Sequence, residues 1–235
     1  MSYIDRYENE TPTPAGPDTV GTGVTWTGMS QTRFATAVLP YFGIAVFLTA
    51  CGTSVGKGLG PGFVLPAIIL NLALYFVLMW KRHVPGINVA LLYGYAFMNG
   101  LMIGPGVAMA GAAFPGIVAQ AFVLAALSFF AVAGFVLITG KDFSGLQAFL
   151  VAGLFVIILG GIVNVFVGGA GLGLGLAILS VITFLGFTAY DMSNIMHKFR
   201  DDEYILATVE LYLDFLNLFL AFLRILIHIA ASQRR

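Results

Sequence analysis

Long apolar runs, separated by short polar or glycine-rich breaks, dominate this chain. Each run is close to the roughly 20 residues that a helix needs to cross a bilayer. The runs are continuous and rich in Leu, Ala, Val and Phe, whereas membrane strands are shorter and alternate apolar with polar residues. The pattern therefore predicts an all-α membrane protein with seven transmembrane helices, at about residues 34–54, 63–81, 87–110, 115–139, 146–167, 170–191 and 205–230.

Residues 1–30 break this pattern because they are polar and rich in Thr, Pro and Gly. Such a composition predicts a disordered tail, which precedes a helical domain of residues 31–235. The tail has no apolar stretch that could serve as a cleavable signal sequence. Gly and Pro clusters predict tight turns between the helices, for example at 84–86, 140–142 and 168–169.

The seventh helix carries a polar stripe that a helix facing only lipid would not have. Its members are Glu210, Asp214, Asn217, Arg224 and His228, at spacings of 4, 3, 7 and 4 residues. At 100° per residue they fall within an arc of roughly 80°. A charge in the middle of a membrane helix costs roughly 2.5–3.5 kcal/mol. We therefore expect the stripe to face the bundle interior or to line a water-filled path.

Composition supports a membrane protein and excludes one function class. The chain is 59% hydrophobic and 9% charged, with a mean hydropathy of +0.96, whereas soluble domains carry about 25% charged residues. The formal net charge is zero, which gives no basis for nucleic-acid binding. The single Cys51 cannot form an internal disulfide and is interpreted as a small buried apolar residue.

Lys and Arg in the loops predict the orientation, because cytoplasmic loops are enriched in these residues. A cytoplasmic N-terminus leaves only Lys57 in the outer loops, although it also places Arg234 and Arg235 outside. A last segment that re-enters and returns inside would remove this exception. The basic residues on the cytoplasmic side are then Arg33, Lys81, Arg82, Lys141, Lys198 and Arg200.

This orientation places four charged residues in the same half of the membrane. Arg82 and Asp191 lie at the cytoplasmic ends of the second and sixth helices, and Asp214 lies nine residues into the seventh, a depth of roughly 14 Å. Glu210 is one turn shallower. Two carboxylates in a low-dielectric site cannot both ionise cheaply and can share a proton, while an arginine favours the ionised form. The set is a candidate pH-responsive latch; the alternative is a static polar cluster that packs the two helices.

Other polar residues in the apolar runs have plainer interpretations. Asn71 and Asn164 are single amides of the kind that form hydrogen bonds between membrane helices. Arg224 would oppose cation entry if it faced an open pore, and His228 could instead face lipid near the interface. The 29 glycines indicate close helix packing rather than a phosphate-binding loop, since no basic residue accompanies them.

Several motifs resemble the Bax inhibitor-1 family, the transmembrane Bax-inhibitor-motif proteins. The run 211–219, LYLDFLNLF, followed by Leu-Arg-Ile-Leu at 223–226, is similar to the last-helix signature of the family. Thr188-Ala-Tyr-Asp191 resembles its helix-six motif, and residues 99–105 resemble its helix-three motif. Asn164 fits helix five. The resemblance covers about residues 30–230.

The resemblance implies a bundle with helix seven central, wrapped by the other six. It also implies a pH-sensitive calcium leak, in which Asp191 and Asp214 form the sensor and Arg82 is their partner. Calcium would contact Asp191 and Asp214 weakly and transiently, with no resident cofactor. Asn71 stands where some relatives carry an acid, which weakens cation attraction. The family's spread among bacteria, together with the short loops, favours a bacterial inner membrane.

Three other functions can be compared with a leak. An intramembrane aspartyl protease needs a Gly-x-Gly-Asp motif on its second catalytic helix, but Leu211-Tyr-Leu-Asp214 stands here, so we expect no enzyme activity. A retinal pump is excluded because the seventh helix has no lysine. A non-conducting protein that modulates another membrane complex, such as a protease or a regulator of stress or cell death, remains the main alternative.

Overall fold

The computed structural model describes residues 18–19 and 25–234, which are almost entirely helical. Seven helices are long and apolar enough to cross a membrane, as the sequence predicted. Most of the predicted N-terminal tail lies outside the described residues. Two-residue strands, β1 (Asp18–Thr19) and β2 (Thr25–Trp26), form an antiparallel pair before the first helix. The helices are α1 (Gln31–Gly56), α2 (Val64–Lys81), α3 (Ile87–Ala113), α4 (Ile117–Thr139), α5 (Ser144–Val167), α6 (Ala170–His197) and α7 (Asp201–Ser232).

The helices pack as two groups, one of α1, α2 and α3 and the other of α4, α5 and α6, and α7 contacts both groups. α1 packs most closely on α3, and α2 covers the other side of α3; α5 packs on α6. α7 packs against α6 and α4, and to a smaller extent against α1 and α3. Phe42, Phe129 and Phe215 bring α1, α4 and α7 together in one aromatic cluster, with ring centroids 5.3–5.7 Å apart. The expectation that all six other helices wrap α7 stays a prediction.

Glycines bring the backbones of α1 and α3 into direct contact. Gly52 and Gly56 on α1 face Gly100 and Gly104 on α3, each pair four residues apart. A methyl group at Gly52 or Gly100 would overlap the backbone carbonyl oxygen of the other helix. Small residues at this spacing are typical of membrane helices that approach closely. The predicted packing role of the glycines therefore applies to this interface.

The predicted turns at 140–142 and 168–169 are confirmed. Gly140 and Gly168 end α4 and α5 in the left-handed conformation, with φ of 60° and 66°, which other residues rarely adopt. In the loop after Gly140, one carboxylate oxygen of Asp142 accepts hydrogen bonds from the Ser144 N–H at 2.8 Å and the Ser193 hydroxyl at 3.2 Å. The Ser144 hydrogen bonds chiefly lower the pKa of Asp142. This loop is thereby tied to α6.

Residues 25–30 form a strap across the end of the bundle where α6 ends and α7 begins, which we call the strap end. The N–H groups of Thr27 and Gly28 donate to the Met196 carbonyl at 3.0 and 2.8 Å, and that of Met29 donates to the Ile195 carbonyl at 3.0 Å. Helix-terminal carbonyls have no partner within their own helix, so the strap satisfies those of α6. Trp26 and Met29 are buried beneath it. These residues belong to the folded domain, although their composition predicted that they are part of the tail.

The strap also explains why α6 is longer than predicted. Hydropathy ended the sixth helix at Asp191, but α6 continues to His197. Ser193 and Asn194, which end the apolar run in the sequence, are buried, and the Ser193 hydroxyl accepts a hydrogen bond from the Phe143 N–H of the loop. The strap bonds the carbonyls of the next two residues, Ile195 and Met196. Asp191 therefore lies one and a half turns inside α6 rather than at its end.

We expect Gly28→Ala to loosen the strap. A Cβ at this position would lie 2.7 Å from the Lys198 nitrogen and 2.8 Å from the Ile195 oxygen, closer than side-chain carbons approach. The loss should be about 1–3 kcal/mol of unfolding free energy, seen as a lower midpoint in thermal unfolding in detergent. Faster hydrogen exchange at the amides of residues 27–29 should accompany it. Thr25→Ala, at an exposed strap position, is the control and should change neither; equal effects of the two variants would contradict this role of Gly28.

Candidate functional site

Two carboxyl groups meet between α6 and α7, in the half of the bundle nearer the strap end, and a third lies beside them. Asp191 and Asp214 are only 6% and 4% exposed, and their carboxyl groups lie within hydrogen-bonding reach of each other. Glu210, one turn before Asp214, is close enough to interact electrostatically with both. The spacing of Asp214 and Glu210 on one helix face, opposite the buried Asp191, produces this cluster.

The cluster contains carboxylate oxygens without partners. Oδ2 of Asp214 and Oε2 of Glu210 are buried and accept no hydrogen bond from any residue in the described ranges. The Thr188 hydroxyl, which donates to the Phe184 carbonyl at 2.8 Å, also lies within reach of Asp214. No group of three or more His, Cys, Asp or Glu side chains in the described part of the chain is arranged to hold a metal ion. The site is therefore acidic and incompletely satisfied, without the geometry of a stable metal site.

Arg82 lies near this cluster without an ion pair to it. Its Nε donates to His83 at 3.0 Å, and its charge acts on Glu210 rather than on the aspartates. Among residues 25–234, ion pairs within 4 Å join Asp202 to His83 and to Arg200. The predicted role of Arg82 as partner of the aspartate pair stays a prediction.

The far half of the polar stripe lines a groove between α5, α6 and α7. Asn217 and Arg224 both lie on its wall, and its volume is about 460 Å³. His228 lies beyond the groove and is turned toward α6, with Nε2 2.8 Å from the Ala170 carbonyl oxygen. The stripe is therefore a single helix face that contributes to two separate places. Glu210 and Asp214 lie in the acidic cluster, whereas Asn217 and Arg224 line the groove. That all of them line one pore stays a prediction.

A second polar network lies on the opposite face of α7, and no sequence pattern predicted it. The Tyr212 hydroxyl is 2.8 Å from the Thr49 hydroxyl on α1. Asn71 on α2 donates to the Asn99 side chain on α3 at 2.9 Å, which confirms its predicted interhelical hydrogen bond. These residues were not obvious because a single Thr or Tyr in an apolar helix gives no periodic signal.

Hydrogen bonds also fix where α7 begins. Asn88 on α3 donates both to the Arg82 carbonyl and to the Tyr204 hydroxyl, each at 2.9 Å. The Arg33 guanidinium stacks 4.6 Å over the Tyr204 ring and donates to the Asp201 carbonyl at 3.0 Å. The start of α7 is thereby held by α1 and α3, which sets the depth of Glu210 and Asp214.

The fold and the site define a multi-pass membrane protein of seven helices with a buried acidic cluster between the last two. The family model described as "Inhibitor of apoptosis-promoting Bax1" matches residues 31–232. The chain therefore belongs to the Bax inhibitor-1 family, as the motifs indicated.

Relatives in viruses, animals and bacteria share most of the chain. This chain is 34% identical over 166 residues to the Golgi anti-apoptotic protein of Vaccinia virus (strain Lister), and the match covers 71% of this chain and 69% of the viral protein. It is 31% identical to mouse Protein lifeguard 4, with 71% and 68% covered. An uncharacterised protein of Deinococcus radiodurans is 35% identical over 173 residues, with 68% and 73% covered.

Proposed function

We propose that this protein is a pH-sensitive leak pathway for cations, calcium in particular, gated by the aspartate pair of α6 and α7. The observation that carries the proposal is the close approach of the Asp191 and Asp214 carboxyl groups in a buried place between two membrane helices. Buried charged groups of this kind are costly and mark ion or proton pathways in membrane proteins.

The gate follows from the protonation state of the pair. With one proton shared, a charge-assisted hydrogen bond joins α6 to α7, and such bonds are stronger than neutral ones. Loss of that proton leaves two carboxylates that repel each other, and a second proton leaves a weaker neutral bond. The other charged groups that act on Glu210 beside the pair are Glu203, which adds repulsion, and Arg82, which opposes it. Leak should thus be smallest where the pair holds one proton.

The same carboxylates are suited to transient calcium contact. Calcium prefers oxygen ligands, and the unpartnered oxygens of Asp214 and Glu210 are available to a passing ion. Conduction requires sites weak enough for the ion to leave. Three acids that do not all coordinate the same point bind calcium more weakly than a complete coordination shell would. Arg82, through Glu210, would limit how much negative charge the site presents.

Calcium flux into liposomes tests the proposal. Purified protein would be reconstituted around a calcium-sensitive dye, and the initial rate measured from about pH 5.5 to about pH 8. We expect a rate above that of protein-free liposomes, with a clear dependence on pH. Flux that exceeds the blank but is constant across this range would contradict the gate.

A non-conducting regulatory protein is the second candidate, and the names of the relatives favour it. The viral relative is called an anti-apoptotic protein, which describes a cell-level effect rather than transport. On this hypothesis the chain binds and modulates another membrane protein. Absence of flux at every pH, with a membrane partner retained through purification, would support it against the leak.

The membrane and the orientation complete the proposal. We place the chain in a bacterial inner membrane with the strap end cytoplasmic, because Arg33, Lys141 and Arg200 gather at that end. Protease protection of the N-terminal segment in inverted and right-side-out vesicles distinguishes the two orientations.

A further inference from the structure

Arg224 is a cation in a membrane helix that has no acidic partner among the residues the structure describes. It lies ten residues beyond Asp214 on α7, and its side chain is exposed. Within the part of the chain that the structure describes, the ion pairs involve His83, Arg200 and Asp202, all at the strap end. A cation in this setting normally pairs with an anion or reaches the headgroup region. The surroundings of Arg224 therefore indicate which kind of anion its guanidinium binds.

The groove beside Arg224 has the size and lining of a ligand site. Its volume of about 460 Å³ lies within the range of roughly 300–1,000 Å³ that ligand pockets occupy. One wall is an apolar face of α5, and the other comes from α6 and α7. Residues that define the groove include Ile158, Ile162, Val165, Phe184, Asn217 and Leu220.

The α5 wall favours an occupant that comes from the bilayer. α5 is the least buried of the seven helices, and Val165 on the groove wall is 80% exposed. α5 packs mainly on α6, so the groove opens beside it toward the lipid phase. Acyl chains can lie along its isoleucine and valine side chains, whereas a water-soluble ligand would have to cross hydrocarbon to reach them.

The depth of Arg224 matches that of lipid headgroups. From Asp201, the first residue of α7, it lies 23 residues along the helix, a rise of roughly 35 Å. The hydrocarbon core of a bilayer is about 30 Å thick. The guanidinium is therefore near the interface opposite the strap end, where phosphates are found, while the groove extends from it into the hydrocarbon.

We infer that this groove binds a phospholipid whose phosphate pairs with Arg224 and whose acyl chain lies on α5. A guanidinium matches phosphate by two parallel hydrogen bonds. Asn217, deeper in the groove, uses one amide proton on the Leu213 carbonyl at 2.8 Å and retains a second for an ester oxygen. No Asp or Glu lines the groove, so nothing there attracts the ammonium of a zwitterionic headgroup. The site should prefer an anionic phospholipid such as phosphatidylglycerol over phosphatidylcholine.

Native mass spectrometry of the full chain tests this site. Protein would be released from nanodiscs that contain equal amounts of phosphatidylglycerol and phosphatidylcholine, and the lipid retained would be counted. We expect wild type to retain phosphatidylglycerol preferentially, and Arg224→Gln to reduce that preference about tenfold, the effect of losing roughly 1.4 kcal/mol. Arg224→Lys should keep part of it. Arg234→Gln, which removes a cation stacked on Phe114 near the end of the same helix, should leave it unchanged.

A second variant tests the groove independently of the charge. Gly161 lines the groove, and a Cβ there would meet no atom within 4 Å, so Gly161→Leu should fold normally while occupying acyl-chain space. We expect it to lower retention of phospholipid with Arg224 intact. Unchanged retention in both Gly161→Leu and Arg224→Gln would overturn the inference. Displacement of the lipid by millimolar inorganic phosphate would overturn it in favour of a site for free anions.

Discussion

Changing Asp191 and Asp214 together to Asn should leave the calcium leak nearly independent of pH. The amides preserve size and can still form a hydrogen bond, but they cannot exchange a proton. One pKa unit of interaction between the two carboxyl groups corresponds to about 1.4 kcal/mol, which is a tenfold change in an equilibrium such as closed to open. We therefore expect the wild-type flux to vary by at least about tenfold across the titration of the pair. The flux through the double variant should vary by less than about twofold. The measurement is the initial rate of dye response in liposomes at each pH.

The same double variant distinguishes a gate from a static cluster. If the aspartates only hold α6 against α7, their replacement should lower the unfolding midpoint and leave the shape of the pH profile unchanged. If they gate, the profile should flatten while the midpoint changes little, since amides also bond across the interface. Asp18→Asn makes the same chemical change in the segment before the helices and should keep the wild-type profile. A wild-type profile in the double variant would exclude the aspartate gate.

Gly100→Ala should strongly destabilise the packing of α1 on α3. Its Cβ would overlap the Thr49 carbonyl oxygen, which is backbone and cannot rotate aside. The two helices would have to separate, so the cost should reach or exceed the roughly 1–3 kcal/mol typical of overpacked cores. Unfolding by a denaturing detergent, followed by circular dichroism, would show the midpoint falling.

A matched substitution on the same helix gives the opposite expectation. Gly94 is exposed on α3 and a Cβ there would meet nothing within 4 Å, so Gly94→Ala should be neutral or stabilise by about 0.5–1 kcal/mol through helix propensity. Equal losses in the two variants would mean that helix propensity, rather than contact with α1, explains the result at Gly100.

Hydropathy predicted the seven helices well because bilayer thickness imposes a minimum length on apolar runs. It failed at the end of α6, where Ser193 and Asn194 are polar yet buried. Ser193 contacts the loop 50 residues earlier in the chain, and the next turn of α6 is bonded by a strap more than 160 residues earlier. A local average of hydropathy cannot include such contacts. For the same reason local composition predicted that Trp26 and Met29 belong to the tail, although both are buried.

The acidic cluster was partly predictable. Periodicity placed Glu210 and Asp214 on one face of α7, and burial of that face required a partner on a neighbouring helix. The position of the Arg82 side chain was harder to predict, because hydropathy indicates where α2 ends but not which neighbour the next side chain contacts, and its Nε donates to His83. The division of the stripe into an acidic cluster and a separate groove depends on where α5 packs, and the uniform apolar sequence of α5 gives no indication of this.

Three amides of the strap complete the last turn of the helix that carries Asp191. The shortest chain that folds should therefore start before Trp26, several residues ahead of the first apolar segment. A shortened gene designed from a hydropathy plot would remove this segment and leave α6 with unsatisfied carbonyls. Fusion partners are better attached before the small β1–β2 pair, so that the strap and its hydrogen bonds to α6 are retained.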